Sequence, residues 1–91
     1  SISRDIAILV DKNISNSDIE NVIYSADDKI VKKVHLFDVY SDDKLGNDKK
    51  SMAYNIVFQS DERTLKDEEV VVILDSIIAE IKEKFNGVLR V

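Results

Sequence analysis

The chain has no cysteine and no proline, only two glycines, and a single histidine. Without cysteine there is no disulfide, no thiolate metal site and no Cys pair of the kind a copper chaperone uses. The composition fits a cytosolic protein. His35 has no cysteine or second histidine with which to complete a metal site, so it reads as a hydrogen-bonded, partly buried residue on the inner side of a strand. Gly46 and Gly87 are too far apart to make a glycine-rich loop that cradles an anion. No apolar run approaches the ~20 residues that a membrane span needs. Residues 1–20 alternate apolar and charged side chains, which is not the pattern of a signal peptide. Ser51 has no histidine in pattern to activate it, so it is not a nucleophile. No repeat, low-complexity stretch or internal linker divides the chain.

What remains is 91 residues, 44% hydrophobic and 34% charged. That is the composition of one globular domain spanning 1–91, able to bury roughly 60–65% of its unfolded surface. The first residue is Ser1, and a strand pattern follows almost at once, so a processed chain or a fragment of a larger one is expected. The net charge of −5 taken alone argues against nucleic-acid binding. The acids are unevenly spread, however. Asp67, Glu68, Glu69, Asp75, Glu80 and Glu83 fall in the last third, on the solvated face of an expected helix, so local charge decides more than the sum.

Ile6-Ala7-Ile8-Leu9-Val10 is a strand. Ser15 starts a helix, with Asp18 three residues on in capping-box spacing. Ile19, Val22, Ile23 and Ala26 then form one apolar stripe. A second strand runs from Ile30 to Tyr40, a loop from 41 to 50 around Gly46, and a third strand from Ser51 to Gln59. Thr64, with Asp67 three residues later, is expected to cap a second helix, whose stripe is Val70, Ile73, Leu74, Ile77, Ile78, Ile81 and Phe85. Arg63 beside that start reads as a local ion pair with Glu62 or Asp67. Asn86-Gly87 ends the helix, and Val88 to Val91 is a final strand. The order β-α-β-β-α-β predicts an α+β, ferredoxin-like fold, a four-stranded antiparallel sheet with both helices on one face.

Two helices cover one face of such a sheet and leave the other bare. Met52, Tyr54, Ile56 and Phe58 alternate onto one side of their strand, and Ile6, Ile8 and Val10 onto the same inner side. In the second strand, alternation groups His35, Phe37 and Val39 against Leu36, Asp38 and Tyr40. A buried unpaired carboxylate costs several kcal/mol, so Asp38 faces out and takes Tyr40 with it. Asp38, Tyr40, Ser51, Ala53 and Asn55 should therefore share the bare face, bordered by Lys49 and Lys50. A flat ring for stacking, a carboxylate for a guanine N–H edge, a hydroxyl and nearby cations suit a single-stranded nucleotide. The plainer readings stand beside this one. Asp38 can pair with a lysine, Tyr40 can cover apolar sheet, the two lysines can simply be solvated, and Arg4 fits an ion pair at a sheet edge as well as a phosphate.

Five strings carry a resemblance over essentially the whole chain. They are Ser3-Arg4-Asp5-Ile6-Ala7, Leu36-Phe37-Asp38-Val39-Tyr40, Gly46 with Lys49-Lys50-Ser51-Met52-Ala53, Glu62 through Val70, and Phe85 through Arg90. In order and spacing the chain resembles the ferredoxin-fold anticodon-binding domain that ends the β subunit of bacterial phenylalanyl-tRNA synthetases. The resemblance implies a cytoplasmic tRNA-binding module that reads the wobble guanine of phenylalanine tRNA. Its implied contacts are Asp38, Tyr40 and Ser51, with Lys49, Lys50 and Arg4 as further candidates. It also implies partners, namely the rest of a β subunit and an α subunit in an (αβ)2 heterotetramer. No catalytic residue and no cofactor are expected in this stretch, since the ATP and Mg of such enzymes serve chemistry in the other subunit. Two alternatives share the fold. An acylphosphatase is disfavoured by the missing glycine-rich anion loop, whereas a small regulatory or protein-interaction domain remains open.

Overall fold

The computed structural model describes residues 1–90. Its elements are β1 (Ile2–Asp11), α1 (Asn16–Ala26), β2 (Val31–Tyr40), a 3-10 turn (Asp43–Leu45), β3 (Lys49–Phe58), α2 (Asp67–Phe85) and β4 (Val88–Leu89). The sheet order is β2-β3-β1-β4, and every neighbouring pair is antiparallel. The expected ferredoxin-like arrangement is what the chain adopts. β1 is longer than its apolar run, because Ser3, Arg4 and Asp5 pair with Val57, Ile56 and Asn55. β4 is only two residues long, and the Val91 end of the expected strand lies outside the described residues. No helix among the described residues is long and apolar enough to cross a membrane.

Alternation places Ile6, Ile8, Val10, Met52, Tyr54, Ile56 and Phe58 on one face of the sheet, and all are buried. Ile19, Val22 and Ile23 of α1 and Val70, Ile77 and Ile81 of α2 join them in one core, so both helices back the same face. Tyr54 is fully buried, and its hydroxyl donates to Asn16 Oδ1 at 2.8 Å, which satisfies the one polar atom that the ring carries inward. Burial, and then the nearby Glu20 charge, pushes that phenol well above its ordinary range.

The helix starts differ from each other. Ser15 caps α1 with the expected box. Its hydroxyl accepts from Asp18 N–H, and Asp18 accepts from Ser15 N–H. The Thr64 cap expected for α2 is displaced, because the helix begins at Asp67 and Lys66 holds the cap position. Glu69, three residues on, accepts from Lys66 N–H at 3.3 Å. Glu69 also takes the ion pair expected of Glu62 or Asp67, with Arg63 at 2.8 Å. The backbone N–H groups at this helix end reward an acid at the third helical position, and Glu69 supplies it. At the far end Asn86 adopts the left-handed conformation, φ 54°, and its N–H donates to Lys82 O. Gly87 serves a different purpose: a Cβ there would run into Ile81 Cγ2 and lie 3.0 Å from Val10 Cγ1. Only a bare Cα lets the chain turn tightly enough against the core to return as β4.

Candidate nucleic-acid interface

The helix-free face is a grid set by register. Tyr40 lies opposite Ser51, and Ser51 opposite Leu9, which pairs with Val88. The next row is Asp38, Ala53 and Ala7, and Arg90 N–H donates to Ala7 O to extend it. The third row is His35, Asn55 and Asp5, and the fourth is Lys33, Val57 and Ser3. Asp38, Tyr40, Ser51, Ala53 and Asn55 thus share one face, as alternation predicts.

The grid departs from simple alternation at two places, between Val31 and Lys33 and between Leu36 and Asp38, and the second bears on the site. The β2–β3 register shifts between Leu36 and Asp38. Phe37 is the extra residue of a bulge, and Lys33 to Leu36 before it change sides. His35 is therefore exposed on the open face, opposite Asn55, not on the inner side as simple parity predicts. Leu36 and Val39 go to the helix side, opposite Tyr54 and Met52. Parity held for Asp38 and Tyr40 because both lie after the bulge.

Tyr40 is 40% exposed. Its hydroxyl donates to Asp42 Oδ2 at 2.7 Å, and Asp42 Oδ1 accepts from Lys44 N–H at 2.9 Å. The Lys44 amide, and then the Tyr40 hydroxyl, hold the Asp42 carboxyl below the usual carboxylate range. Donation to Asp42 in turn raises the Tyr40 phenol above its own. The 3-10 turn that presents Asp42 closes at Gly46, φ 109°, a conformation that favours glycine. The loop thereby fixes the ring's orientation.

Arg90 lies over the Tyr40 ring, with its guanidinium carbon 5.4 Å from the centroid, a cation–π geometry. The two residues start from opposite edges of the sheet, with β3 and β1 between them. Ser51, in the middle of Tyr40's row, is only 3% exposed. Arg90 was not among the residues singled out by spacing, since fifty positions separate it from Tyr40 and the two-residue β4 has no pattern of its own. Its place at the end of the Phe85–Arg90 string was the available signal.

The other basic candidates divide. Lys49 lies opposite Asp11 on the open side and forms an ion pair with it. The Asp11 carboxylate, before anything else, raises the Lys49 amine above its ordinary range. Lys50 lies opposite Val10 on the helix side, where its amine donates to Ile14 O and ties down the β1–α1 loop. Arg4 lies opposite Ile56, also on the helix side, and pairs with Asp67 at the start of α2 at 3.1 Å. Neither belongs to the Tyr40 surface. Strand parity with Ile6 and with Met52 was the signal that placed them. The Asp5, Asp11 and Asp42 carboxylates near this face are engaged by Asn55, Lys49 and Tyr40. Among the described residues, no side chain engages Asp38, which stays exposed.

An antiparallel sheet backed by helices on one side, with a tyrosine, an unengaged carboxylate and an arginine on the other, defines a sheet-platform binding module. Residues 1–90 match the ferredoxin-fold anticodon binding domain, and the chain belongs to that family. The phenylalanine–tRNA ligase β subunit of Geobacillus kaustophilus is 41% identical over 90 residues, covering 99% of this chain and 11% of the relative. The β subunits of Streptococcus mutans and Dehalococcoides mccartyi are 42% and 39% identical over the same coverage. The chain thus spans about a tenth of the length of these relatives. Among solved structures, a formyltetrahydrofolate deformylase from Pseudomonas putida KT2440 is similar with a TM-score of 0.53 and 11% identity, covering 98% of this chain and 28% of that one. That likeness concerns the fold alone.

Proposed function

We propose that the chain is the anticodon-binding domain of a phenylalanine–tRNA ligase β subunit and that it receives the unpaired anticodon bases of phenylalanine tRNA on its open sheet face. Family membership and relatives at about 40% identity support the reading. The observation that carries it is the register, in which Tyr40 and Asp38 occupy adjacent rows of the helix-free face beside Ser51 and Ala53. The wobble guanine stacks on Tyr40, and its N1–H and N2–H donate to the Asp38 carboxylate. Ala53 and Ala7 leave the floor of that row low enough for the base to lie flat. Arg90 holds the ring plane and carries a cation toward the phosphates, with Lys49 as a second charge at the border. Ser51 lends a hydroxyl beneath them. Arg4 and Lys50 hold α2 and the β1–α1 loop in place and do not contact the base.

On this reading the ATP- and Mg-dependent ligation is performed elsewhere in a cytoplasmic (αβ)2 enzyme, and this domain contributes affinity and discrimination. Modest affinity suffices, because tethering to the enzyme body raises the effective concentration.

The test is a titration of the chain with a synthetic phenylalanine anticodon stem-loop, followed by NMR. Shifts should centre on Asp38, Tyr40, Ser51 and Arg90. Stacking is worth about 1–3 kcal/mol per base, so Tyr40→Ala should weaken binding about tenfold or more. Asp38→Ala should erase the preference for guanine over inosine, which lacks the N2 amine. Affinity unchanged in both variants would rule the site out. A tight dimer hiding the Asp38 face, seen by size exclusion, would favour a protein-interaction domain instead.

A further inference from the structure

We propose that Asn86-Gly87 is a site of spontaneous covalent modification. When β4 opens, the Asn86 amide deamidates through a cyclic imide, and the isoaspartyl product releases Arg90 from Tyr40. The Gly87 nitrogen attacks Asn86 Cγ. The new C–N bond forms as the Cγ–Nδ2 bond breaks, and the Gly87 proton leaves with Nδ2 as ammonia. Water then opens the imide. Cleavage at Cγ gives aspartate, and cleavage at the main-chain carbonyl gives isoaspartate, whose backbone runs through Cβ and Cγ. Water is the only co-reactant, and the site does not depend on what the open face binds.

The first support is that packing itself creates the reactive pair. Of the chain's asparagines, only Asn86 precedes a glycine, whose nitrogen has no neighbouring side chain to obstruct the attack. The left-handed conformation at position 86 favours glycine or asparagine. A side chain at position 87 would strike Ile81 and Val10. Both halves of the pair are therefore asked for by the turn from α2 into β4. Asn86 is exposed, and among the described residues nothing holds its side-chain amide. Asn16, which precedes Ser17, is the opposite case. Its Nδ2 donates to Glu20 Oε2 and its Oδ1 accepts from the Tyr54 hydroxyl, each at 2.8 Å.

The second support is the gate. Ring closure needs Cβ of Asn86 and the Gly87 nitrogen eclipsed about the Cα–C bond, and at ψ 24° they are not. The Gly87 N–H is also engaged, donating to Ile81 O at 3.3 Å. Reaction waits for a rotation that breaks this bond and draws β4 away from β1. That opening is cheap. β4 has two residues, Val88 and Leu89, both exposed, and it is held by pairing with Leu9 and Ile8 and by the Arg90 N–H to Ala7 O. Short terminal elements open locally at a fraction of the global cost. Isoaspartate then adds a backbone methylene between α2 and β4. Gly87 no longer reaches its seat against Ile81 and Val10, and the register that sets Arg90 over the Tyr40 ring is lost. The aspartate product keeps the backbone length and tolerates the left-handed conformation, so Arg90 stays in place.

The test is ageing of the chain in mildly alkaline buffer, with peptide mapping by mass spectrometry at intervals. Conversion of amide to acid should appear at Asn86 before Asn16 or Asn47. It should run about tenfold or more faster in urea than in the folded chain, because the closed cap protects the pair. The isoaspartyl fraction, separated by chromatography, should lose the NMR contacts between the Arg90 side chain and the Tyr40 ring. Asn86→Asp, which makes the other product directly and keeps the backbone length, should retain them. Conversion at Asn86 no faster than at Asn47 would overturn the site. Equal rates in the folded and urea-unfolded chain would overturn the gate. An isoaspartyl fraction with its Arg90–Tyr40 contacts intact would overturn the coupling to β4.

Discussion

Tyr54 and Tyr40 stand on strands that pair with each other, yet they do opposite work. Tyr54 is fully buried and sends its hydroxyl to Asn16. Tyr40 is 40% exposed, sends its hydroxyl to a loop carboxylate and carries a guanidinium on its ring. Both are hydrogen-bonded phenols on the same sheet, and the difference is which side the helices cover. On the covered side the ring contributes hydrophobic burial and its hydroxyl must be satisfied internally. On the bare side the same ring area remains available to a partner, and its polar neighbours orient it without hiding it. On the proposed reading, stability and recognition are divided between the two sides of one layer.

That division is open to direct attack. Phe58 is fully buried on the covered side, so Phe58→Ala should cost about 3–5 kcal/mol in chemical denaturation. Tyr40→Ala should cost less than about 1 kcal/mol while weakening RNA binding about tenfold or more. A Tyr40→Ala loss as large as that of Phe58→Ala would mean that the two sides are not separable. A smaller effect is expected at Gly87, where an added methyl clashes with Ile81 and crowds Val10. Gly87→Ala should destabilise by about 1–3 kcal/mol. It should also weaken RNA binding, because β4 positions Arg90, and Arg90→Ala in the same background should add nothing further. Smaller again is Tyr54→Phe, which removes the hydroxyl that Asn16 accepts from and should cost about 0.5–1.5 kcal/mol with RNA affinity unchanged.

The smallest effect lies in the Tyr40–Asp42 pair. The folded Asp42 pKa is depressed by the Lys44 amide and then by Tyr40. Its contribution is therefore present above the unfolded value of about 3.9 and is lost as pH falls through the folded one. The folded Tyr40 pKa is raised, chiefly by donation to Asp42. Its contribution is present below the unfolded value of about 10 and is lost as pH rises through the folded one. NMR titration of the Tyr40 ring should show both limbs, and Asp42→Asn should remove the acid one and bring the alkaline one down. A Tyr40 ring whose shifts ignore Asp42→Asn would show that the loop does not orient it.

How far the chain itself announces this arrangement depends on the residue. The Ser15 and Asp18 cap, the Ile19-Val22-Ile23 stripe and the Met52-to-Phe58 alternation are local, and each is legible because its cause lies within a few positions. Asp38 and Tyr40 were legible because a buried carboxylate is costly and both lie on the same side of the bulge. Arg4 and Lys50 carried a parity signal that pointed inward, against their reading as RNA contacts. The α2 cap was obscured because Thr64 and Asp67 have the right spacing without being where the helix begins.

The local periods of 2 and 3.6 residues, the capping residues and the lack of cysteine, proline and long apolar runs were sufficient to establish the element order and the core side chains of β1 and β3, but not of β2, where Val31 and Val34 are buried and Phe37 and Val39 exposed. Tertiary structure decided three matters that have no short-range cause. The extra residue at Phe37 turned His35 outward, because a register shift is settled by the partner strand and not by the strand itself. Arg90 met Tyr40 across two intervening strands, a contact that sheet order alone creates. Ser51 ended up nearly covered on a face that is otherwise open, because burial of a small side chain depends on what its neighbours reach across.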